Sequence, residues 1–329
     1  MLKAYQESFK KLLAYFPAHW KEEFNLGYYL STLIFLAVSV YVNYTYLDNY
    51  TVERWLQLGF GNKEWKFGNE ITILFYFLFY AIPYYVTIFL YMAWHRNWDM
   101  LRSGEFWLRS FFIILVLSFD AAFYYHTPIW KSFESPAARR LGFKILGNMT
   151  SILGIFLPLF LFYMWRDRRR MNSFYGLSFK GFDYKPYVIL MACMVPLVVA
   201  ASYTEGFKNY YPTLKYHHIR SLEDIPIWLA YVMYETVYAL DFIWTEVSFR
   251  GFMVIGMASS AGVASVGSMS SVYCYRHFAK PMGESISSIF GGYILGVIAL
   301  RSNNVMGGVF VHMGIALLME ACAFYQWAI

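Results

Sequence analysis

Three ionisable residues lie within ten positions of an otherwise apolar stretch, "LDFIWTEVSFRGFMVIG" at 240–256. Glu246 and Arg250 are four residues apart, so on a helix they share one face and can form an ion pair. Glu235, about three turns earlier, can share that face, whereas Asp241 lies off it. A charge in a bilayer costs at least about 2.5–3.5 kcal/mol, so these groups are expected to face the protein interior. The pair alone fits a structural role as well as a catalytic one.

Two histidines belong to the same apolar third of the chain, while the other five lie in loops or near the ends of apolar runs. A turn near Ser259–Gly262 would leave Glu246 and His277 about 21–24 Å from it, at one level. His312 would be about 13 Å deep, level with Arg250. This convergence predicts a site. One glutamate and two histidines can activate water by general-base action, or form a His₂Glu metal site with one open position.

The elements that must position these residues are membrane helices. Hydrophobic residues make up 59% of the 329 and charged residues 15%, with a mean hydropathy of +0.39. Both fractions depart from those of soluble globular domains in the direction of membrane proteins. Many aromatic residues lie near the ends of apolar runs, where interfacial belts occur. The composition predicts an all-α polytopic membrane protein.

Nine apolar segments are candidates for transmembrane helices, which need about 20 residues each. They lie near 26–46, 70–93, 106–126, 145–165, 186–203, 226–257, 262–279, 284–300 and 305–325. We expect a bundle of eight or nine crossings. The sixth segment is too long for one straight span, so a break or kink is expected there.

The chain divides into three parts on this interpretation. Residues 1–25 form an amphipathic segment lying on the membrane surface, residues 26–225 form the N-terminal transmembrane helices, and residues 226–329 form the core with the candidate site. The basic run "RDRRR" at 166–170 favours a cytoplasmic loop, which places the N-terminus inside.

Several function classes find no support in the sequence. The net charge of +6 comes without a basic stretch interleaved with aromatics, so nucleic acid is not an expected partner. The three cysteines stand alone in apolar runs, which predicts neither a disulfide framework nor a cysteine zinc site. The H-E-x-x-H, G-x-S-x-G and G-x-G-D patterns of other proteases are absent.

Three motifs in the C-terminal third resemble those of a known family. "TEVSFRGF" (245–252), "YCYRH" (273–277) and "HMGIA" (312–316) are similar, in order and spacing, to the E-E-x-x-x-R, F-x-x-x-H and H-x-x-x-N/D motifs of the CPBP (ABI) family. That family contains the CAAX prenyl endopeptidases and bacteriocin-processing proteins. The resemblance covers about 226–325, and "HFAKPMGESISSIFGGYILG" looks like members from Bacteroidetes-type bacteria.

The resemblance implies roles for four residues. Glu246 matches the second glutamate, Arg250 the arginine, and His277 and His312 the two histidines. In the family, the glutamates and the first histidine are thought to activate water, and the second histidine to steady the oxyanion. A metal is sometimes invoked, so zinc or another divalent ion bound by Glu246, His277 and His312 remains an alternative to a metal-free site.

The chain departs from the family pattern at two positions. Thr245 stands in place of the first glutamate, and Ala316 in place of the asparagine or aspartate. Glu246 must then act as the base, or another acid must take the role. The candidate supporting acids are Glu284, Glu320 and Glu235. For Glu284, an interfacial charge at a helix start is the alternative interpretation.

The sequence therefore predicts an intramembrane endopeptidase of the CPBP type. It would hydrolyse a peptide bond of a membrane-associated peptide or protein, within the lipid bilayer of a bacterial inner membrane. A non-catalytic member with a bacteriocin-immunity or scaffold role is the first alternative, favoured by the two departures. A proton-coupled transporter is the second, since buried Glu, His and Arg also serve proton relays.

Overall fold

The chain is built from helices joined by loops, and the computed structural model describes residues 2–60 and 70–328. The first helices are α1 (Leu2–Leu13), α2 (Tyr15–Glu23), α3 (Leu26–Tyr46), α4 (Thr51–Phe60), α5 (Glu70–His95), α6 (Gly104–Ala121), α7 (Thr127–Lys131) and α8 (Pro136–Met149), with a 3₁₀ turn at Asp99–Arg102. In the described part, the strand pairing is confined to an isolated bridge between Phe174 and Leu177.

The rest of the chain continues in the same way. After π-helical turns at Ile152–Phe156 come α9 (Leu157–Phe162), further π-helical turns at Tyr163–Asp167, α10 (Lys185–Ser202), α11 (Glu205–Tyr210), α12 (Tyr216–Ile219) and α13 (Ile227–Glu246). The last elements are π-helical turns at Val247–Gly256, α14 (Ala258–Ala261), α15 (Ala264–Arg276), α16 (Met282–Ser302) and α17 (Met306–Ala328).

Six helical segments of the described chain are long and apolar enough to cross a membrane. They are Leu26–Tyr46, Glu70–His95, Pro136–Asp167, Lys185–Ser202, Met282–Ser302 and Met306–Gln326. Each overlaps one of the nine apolar segments in the sequence. The prediction of an all-helical chain with several apolar helices is confirmed, and these helices indicate a multi-pass membrane protein.

The other three predicted spans have a different character. Helix α6 carries Glu105, Arg109 and Asp120, and α13 carries Glu235, Asp241 and Glu246. Helix α15 has only 13 residues. A count of eight or nine crossings therefore stays a prediction. The long segment at 226–257 does not break; α13 runs on into widened π-helical turns, a feature often found at functional sites.

The core of the molecule lies around α15. Residues 246–257 and 264–275 are all buried, as expected for a helix enclosed on every side. Small residues allow this close approach: a Cβ at Gly267 would lie 2.0 Å from the Tyr28 hydroxyl, and one at Gly296 would lie 2.7 Å from Met269. The C-terminal third is thus the most tightly enclosed part of the chain.

A buried ion network ties four elements together at one end of the bundle. Arg109 donates to Asp167 at 2.5 and 2.9 Å, to Glu105 at 2.7 Å and to the Gly256 carbonyl at 3.1 Å. The Tyr175 hydroxyl donates to Asp167 at 2.9 Å. We call these residues the Arg109 network. It joins α6 to the π-helical turns at Tyr163–Asp167 and Val247–Gly256 and to the loop after 167.

The N-terminal segment packs on the bundle rather than only lying beside it. Leu12 of α1 is buried in a cluster with Tyr187 and Ile298. In α2, the buried Glu23 accepts hydrogen bonds of 2.6 Å from both Tyr29 and Tyr293, and pairs with His19 at 2.8 Å. This polar cluster was not foreseen from the sequence.

Candidate active site

The four residues singled out in the sequence come from four neighbouring elements. Glu246 ends α13, Arg250 lies in the π-helical turns that follow, His277 caps α15, and His312 lies in the second turn of α17. Tyr273 of α15 lies between them and contacts three of the four.

Glu246 and Arg250 form the buried ion pair that their spacing predicts. Arg250 Nη1 donates to Glu246 Oε1 at 2.8 Å, and the two side chains are 1% and 0% exposed. Breaking such a pair is costly, because the remaining charge stays buried without a partner. Glu246 Oε2 and Arg250 Nε have no hydrogen-bond partner within 2–60 and 70–328. A Cβ at Gly308 would lie 2.1 Å from Glu246 Oε2, so the glycine makes room for the carboxylate.

His312 is held through both ring nitrogens. Its Nδ1 lies 2.9 Å from Glu246 Oε1, and its Nε2 lies 3.1 Å from the Tyr273 hydroxyl. With Nδ1–H donating to the carboxylate, Nε2 is an acceptor and the tyrosine hydroxyl donates to it. The Phe242 ring packs against the imidazole at 4.3 Å. Both ring nitrogens of His312 are engaged in hydrogen bonds in this arrangement, so neither is free to exchange a proton with another group.

Tyr273 is the residue that sequence reasoning undervalued. It stands where the second family motif, F-x-x-x-H, has phenylalanine, and the centre of its ring lies 4.2 Å from the Arg250 guanidinium. Such a contact is an attractive cation–π interaction. Its hydroxyl forms a hydrogen bond with His312 Nε2, and its backbone carbonyl accepts a hydrogen bond from His277 Nδ1. We call Glu246, Arg250, His312 and Tyr273 the Glu246 network.

His277 does not contact Glu246 directly. Its Nδ1 lies 2.8 Å from the Tyr273 carbonyl, which can only accept, so Nδ1 carries the proton. Nε2 therefore presents a lone pair, and it faces Glu284 Oε1 at 3.8 Å. The residue is 6% exposed. The ring is thus set in the tautomer that can act as a base.

Glu284 has partners beyond His277. Lys280 Nζ donates to its Oε1 at 2.6 Å, and the Tyr211 hydroxyl donates to its Oε2 at 2.8 Å. Burial lowers the pKa of Lys280, but the neighbouring Glu284 carboxylate raises it more, so the net shift is above the usual value and Lys280 stays charged. Its four-residue spacing from Glu284 in "KPMGE" was a usable signal for this contact.

The other two supporting acids lie apart from the Glu246 network. Glu320 accepts hydrogen bonds from Thr213, at 3.0 Å from the backbone nitrogen and 2.6 Å from the hydroxyl. The carboxylate oxygens of Glu235 are buried and have no hydrogen-bond partner in the described ranges. Of the three acids, Glu284 is the one that faces a site histidine.

The two departures from the family pattern add no polar group to the site. The Thr245 hydroxyl donates back to the Asp241 carbonyl at 3.4 Å, a bond within its own helix. Ala316, one turn after His312, is 5% exposed and brings only a methyl group.

A metal site does not follow from this arrangement. In residues 2–60 and 70–328, no group of three or more His, Cys, Asp or Glu side chains could hold a metal ion. Glu246 and His312 direct their facing atoms at each other, and His277 faces Glu284 instead. The set Glu246, His277 and His312 therefore does not fit zinc.

Comparison of the chain with models of protein families, with curated proteins and with solved structures finds no match. The likeness to the CPBP family therefore rests on the three short motifs quoted above.

Proposed function

We propose that the protein is an intramembrane endopeptidase that uses a water molecule activated by His277 and Glu284. It would cross a bacterial inner membrane eight or nine times and cleave a membrane-associated peptide or protein segment. The proposal follows the motif resemblance in reaction type but differs from it in the acid, because Thr245 replaces the first motif glutamate.

One observation carries the proposal. His277 Nε2 and Glu284 Oε1 are both acceptors, and they face each other across 3.8 Å. A water 2.8 Å from both atoms would subtend an angle of about 85° and could donate one hydrogen to each. Its lone pairs would then point away from both acceptors, towards an incoming carbonyl. This is the arrangement that general-base activation of water requires.

The reaction can be written with residues of the chain alone. His277 Nε2 takes a proton from the water as its oxygen attacks the carbonyl carbon. The carbonyl oxygen becomes an oxyanion, which would be stabilised by the charged Lys280, whose Nζ lies 2.6 Å from Glu284 Oε1. The imidazolium then gives its proton to the leaving nitrogen as the C–N bond breaks, which leaves a carboxylic acid and an amine. Glu284 stabilises the imidazolium.

The Glu246 network acts as a positioning device in this proposal. Glu246 is 0% exposed, and its Oε1 already accepts from Arg250 and His312. Through His312 and Arg250 it holds Tyr273, whose carbonyl sets the tautomer of His277. We therefore assign a structural role to Glu246 and the role of the base to His277, with Glu284 facing it.

The test compares His277→Ala and Glu284→Gln with the wild-type protein in the producing cell. New N-termini in the membrane proteome are measured together with the abundance of each variant. We expect cleavage to fall by about 10² or more at normal abundance. Glu223→Gln, a change of the same type at an exposed loop position, serves as control and should leave cleavage unchanged. Unchanged cleavage in both site variants would refute the proposal.

The non-catalytic role keeps one observation in its favour, the complete enclosure of Glu246. In a non-catalytic protein the Glu246 network would serve only to stabilise the fold. The membrane proteome would then have the same N-termini in the presence and in the absence of the wild-type protein.

A further inference from the structure

A long apolar groove lies on the surface between α6 and the helical segment 152–167. Its volume is about 670 Å³, within the range of ligand sites. The lining side chains are all Leu, Phe, Pro or Trp, among them Leu108, Leu157 and Trp165. The groove is independent of the candidate active site and shares no lining residue with it.

The groove has the length of a lipid chain. On one wall the lining residues run from Leu153 to Trp165, which is about 18 Å of helix at 1.5 Å per residue. One leaflet of a bilayer contributes about half of a 30 Å hydrocarbon core. An acyl chain lying along this wall would therefore cover one leaflet from the headgroup level towards the bilayer centre.

One end of the groove is strongly basic. The guanidinium of Arg166 lies 5.1 Å over the ring of Trp165, which lines the groove. Arg168, Arg169 and Arg170 follow and are exposed. Positive charge is in excess around this end. The arginines at 109, 166, 168, 169 and 170 lie there, and the carboxylates that pair with them are those of Glu105 and Asp167. Arg168 and Arg169 form no ion pair with any described residue.

The opposite end lacks this excess of positive charge, because the arginine there, Arg276, has the acidic residues Asp120 and Asp241 beside it. Asp120 packs there against Gly154, where a Cβ would lie 2.5 Å from the carboxylate. Its Oδ1 is buried and has no hydrogen-bond partner within the described ranges. A negatively charged headgroup is therefore attracted to the arginine end, which orients the ligand.

We propose that this groove binds one acyl chain of an anionic phospholipid, with the lipid phosphate held by Arg168 and Arg169. The occupant is argued from the match between an apolar groove of leaflet length and an excess of positive charge at one end. Anionic lipids are attracted by basic residues near the surface, by about 1 kcal/mol for each residue.

The experiment uses the purified, delipidated full chain in detergent and native mass spectrometry. Phosphatidylglycerol and phosphatidylcholine with identical acyl chains are titrated separately. Two arginines are expected to favour phosphatidylglycerol by about 30-fold. The double variant Arg168→Gln/Arg169→Gln should lose this preference, whereas Lys10→Gln/Lys11→Gln, which removes two exposed charges from α1, should keep it. Leu161→Trp, which fills the groove, should weaken the binding of both lipids.

A phosphatidylglycerol with a photoreactive acyl chain gives a readout that does not depend on variants. Cross-links should map to 108–123 and 153–165 of the wild-type chain. Equal affinity for the two lipids would mean ordinary boundary lipid and would overturn the proposal. So would a preference that disappears in the Lys10/Lys11 variant and persists in the Arg168/Arg169 variant, or cross-links that map elsewhere.

Discussion

Two buried arginines organise different regions of this molecule, and they are satisfied to different degrees. Arg109 donates four hydrogen bonds, and none of its atoms or those of Asp167 is buried without a partner in the described chain. Arg250 donates one bond to Glu246, while its Nε and Glu246 Oε2 remain unpaired within the same ranges. Both side chains are almost fully buried.

The difference separates a structural device from a site that can rearrange. A fully satisfied network rigidifies what it joins, and the Arg109 network joins elements far apart in sequence. Buried polar atoms without partners are rare in native proteins and are often found where function needs them. The Glu246 network is the less satisfied of the two, and it is the one next to His277 and Glu284.

The largest effect is expected from removal of Arg109. Arg109→Ala leaves Asp167 and Glu105 as buried or half-buried charges, which should cost about 3–5 kcal/mol. Thermal unfolding in detergent and abundance in the membrane measure it. Arg102→Ala is the matched control, because its pair with Asp99 is exposed and worth at most about 1 kcal/mol. If the two variants are equally stable, the Arg109 network does not stabilise the fold.

Glu246→Gln should have the next largest effect, a loss of about 3 kcal/mol in the free energy of unfolding. The amide keeps the shape of the side chain but leaves the Arg250 charge buried without a counter-charge. A lower unfolding temperature is the expected outcome, and cleavage should fall further than abundance but by less than the factor of about 10² expected for loss of the base. A variant of normal stability and abundance that cleaves nothing would return Glu246 to the role of the base.

Gly308→Ala tests the same carboxylate without touching a charge. The added methyl would meet Glu246 Oε2 at 2.1 Å, so the network must shift at a cost of about 1–3 kcal/mol. Gly291→Ala places the same methyl on α16 where nothing lies within 4 Å, and it should stabilise by up to about 1 kcal/mol. Unfolding temperatures that move in the same direction would argue against the tight fit at Gly308.

Tyr273→Phe should have the smallest effect on stability. It removes the hydroxyl hydrogen bond to His312 and keeps the ring under Arg250, for a loss of about 0.5–1.5 kcal/mol. The carbonyl that sets the His277 tautomer is unchanged, so cleavage should persist. Loss of cleavage at normal stability would show that the hydroxyl itself takes part in the reaction.

The features set by local spacing could be predicted from the sequence. Apolar runs of about 20 residues predict helices in lipid, because backbone groups there must pair within the segment, and the described part of the chain has six such helices. The Glu246–Arg250 pair follows from a four-residue spacing on one helix. For the long segment at 226–257 a break or kink was expected, whereas the helix runs on without a break into the π-helical turns.

The tertiary structure decided which partners meet between helices. Nothing local indicates that Asp167 binds Arg109, 58 residues away, or that Tyr273 comes between His277 and His312. Three acids were candidates for the missing glutamate, and only the turn at Pro281 brings Glu284 back to His277. Such contacts depend on how each helix is rotated and tilted against its neighbours, which the packing of the whole bundle determines and a single segment does not encode.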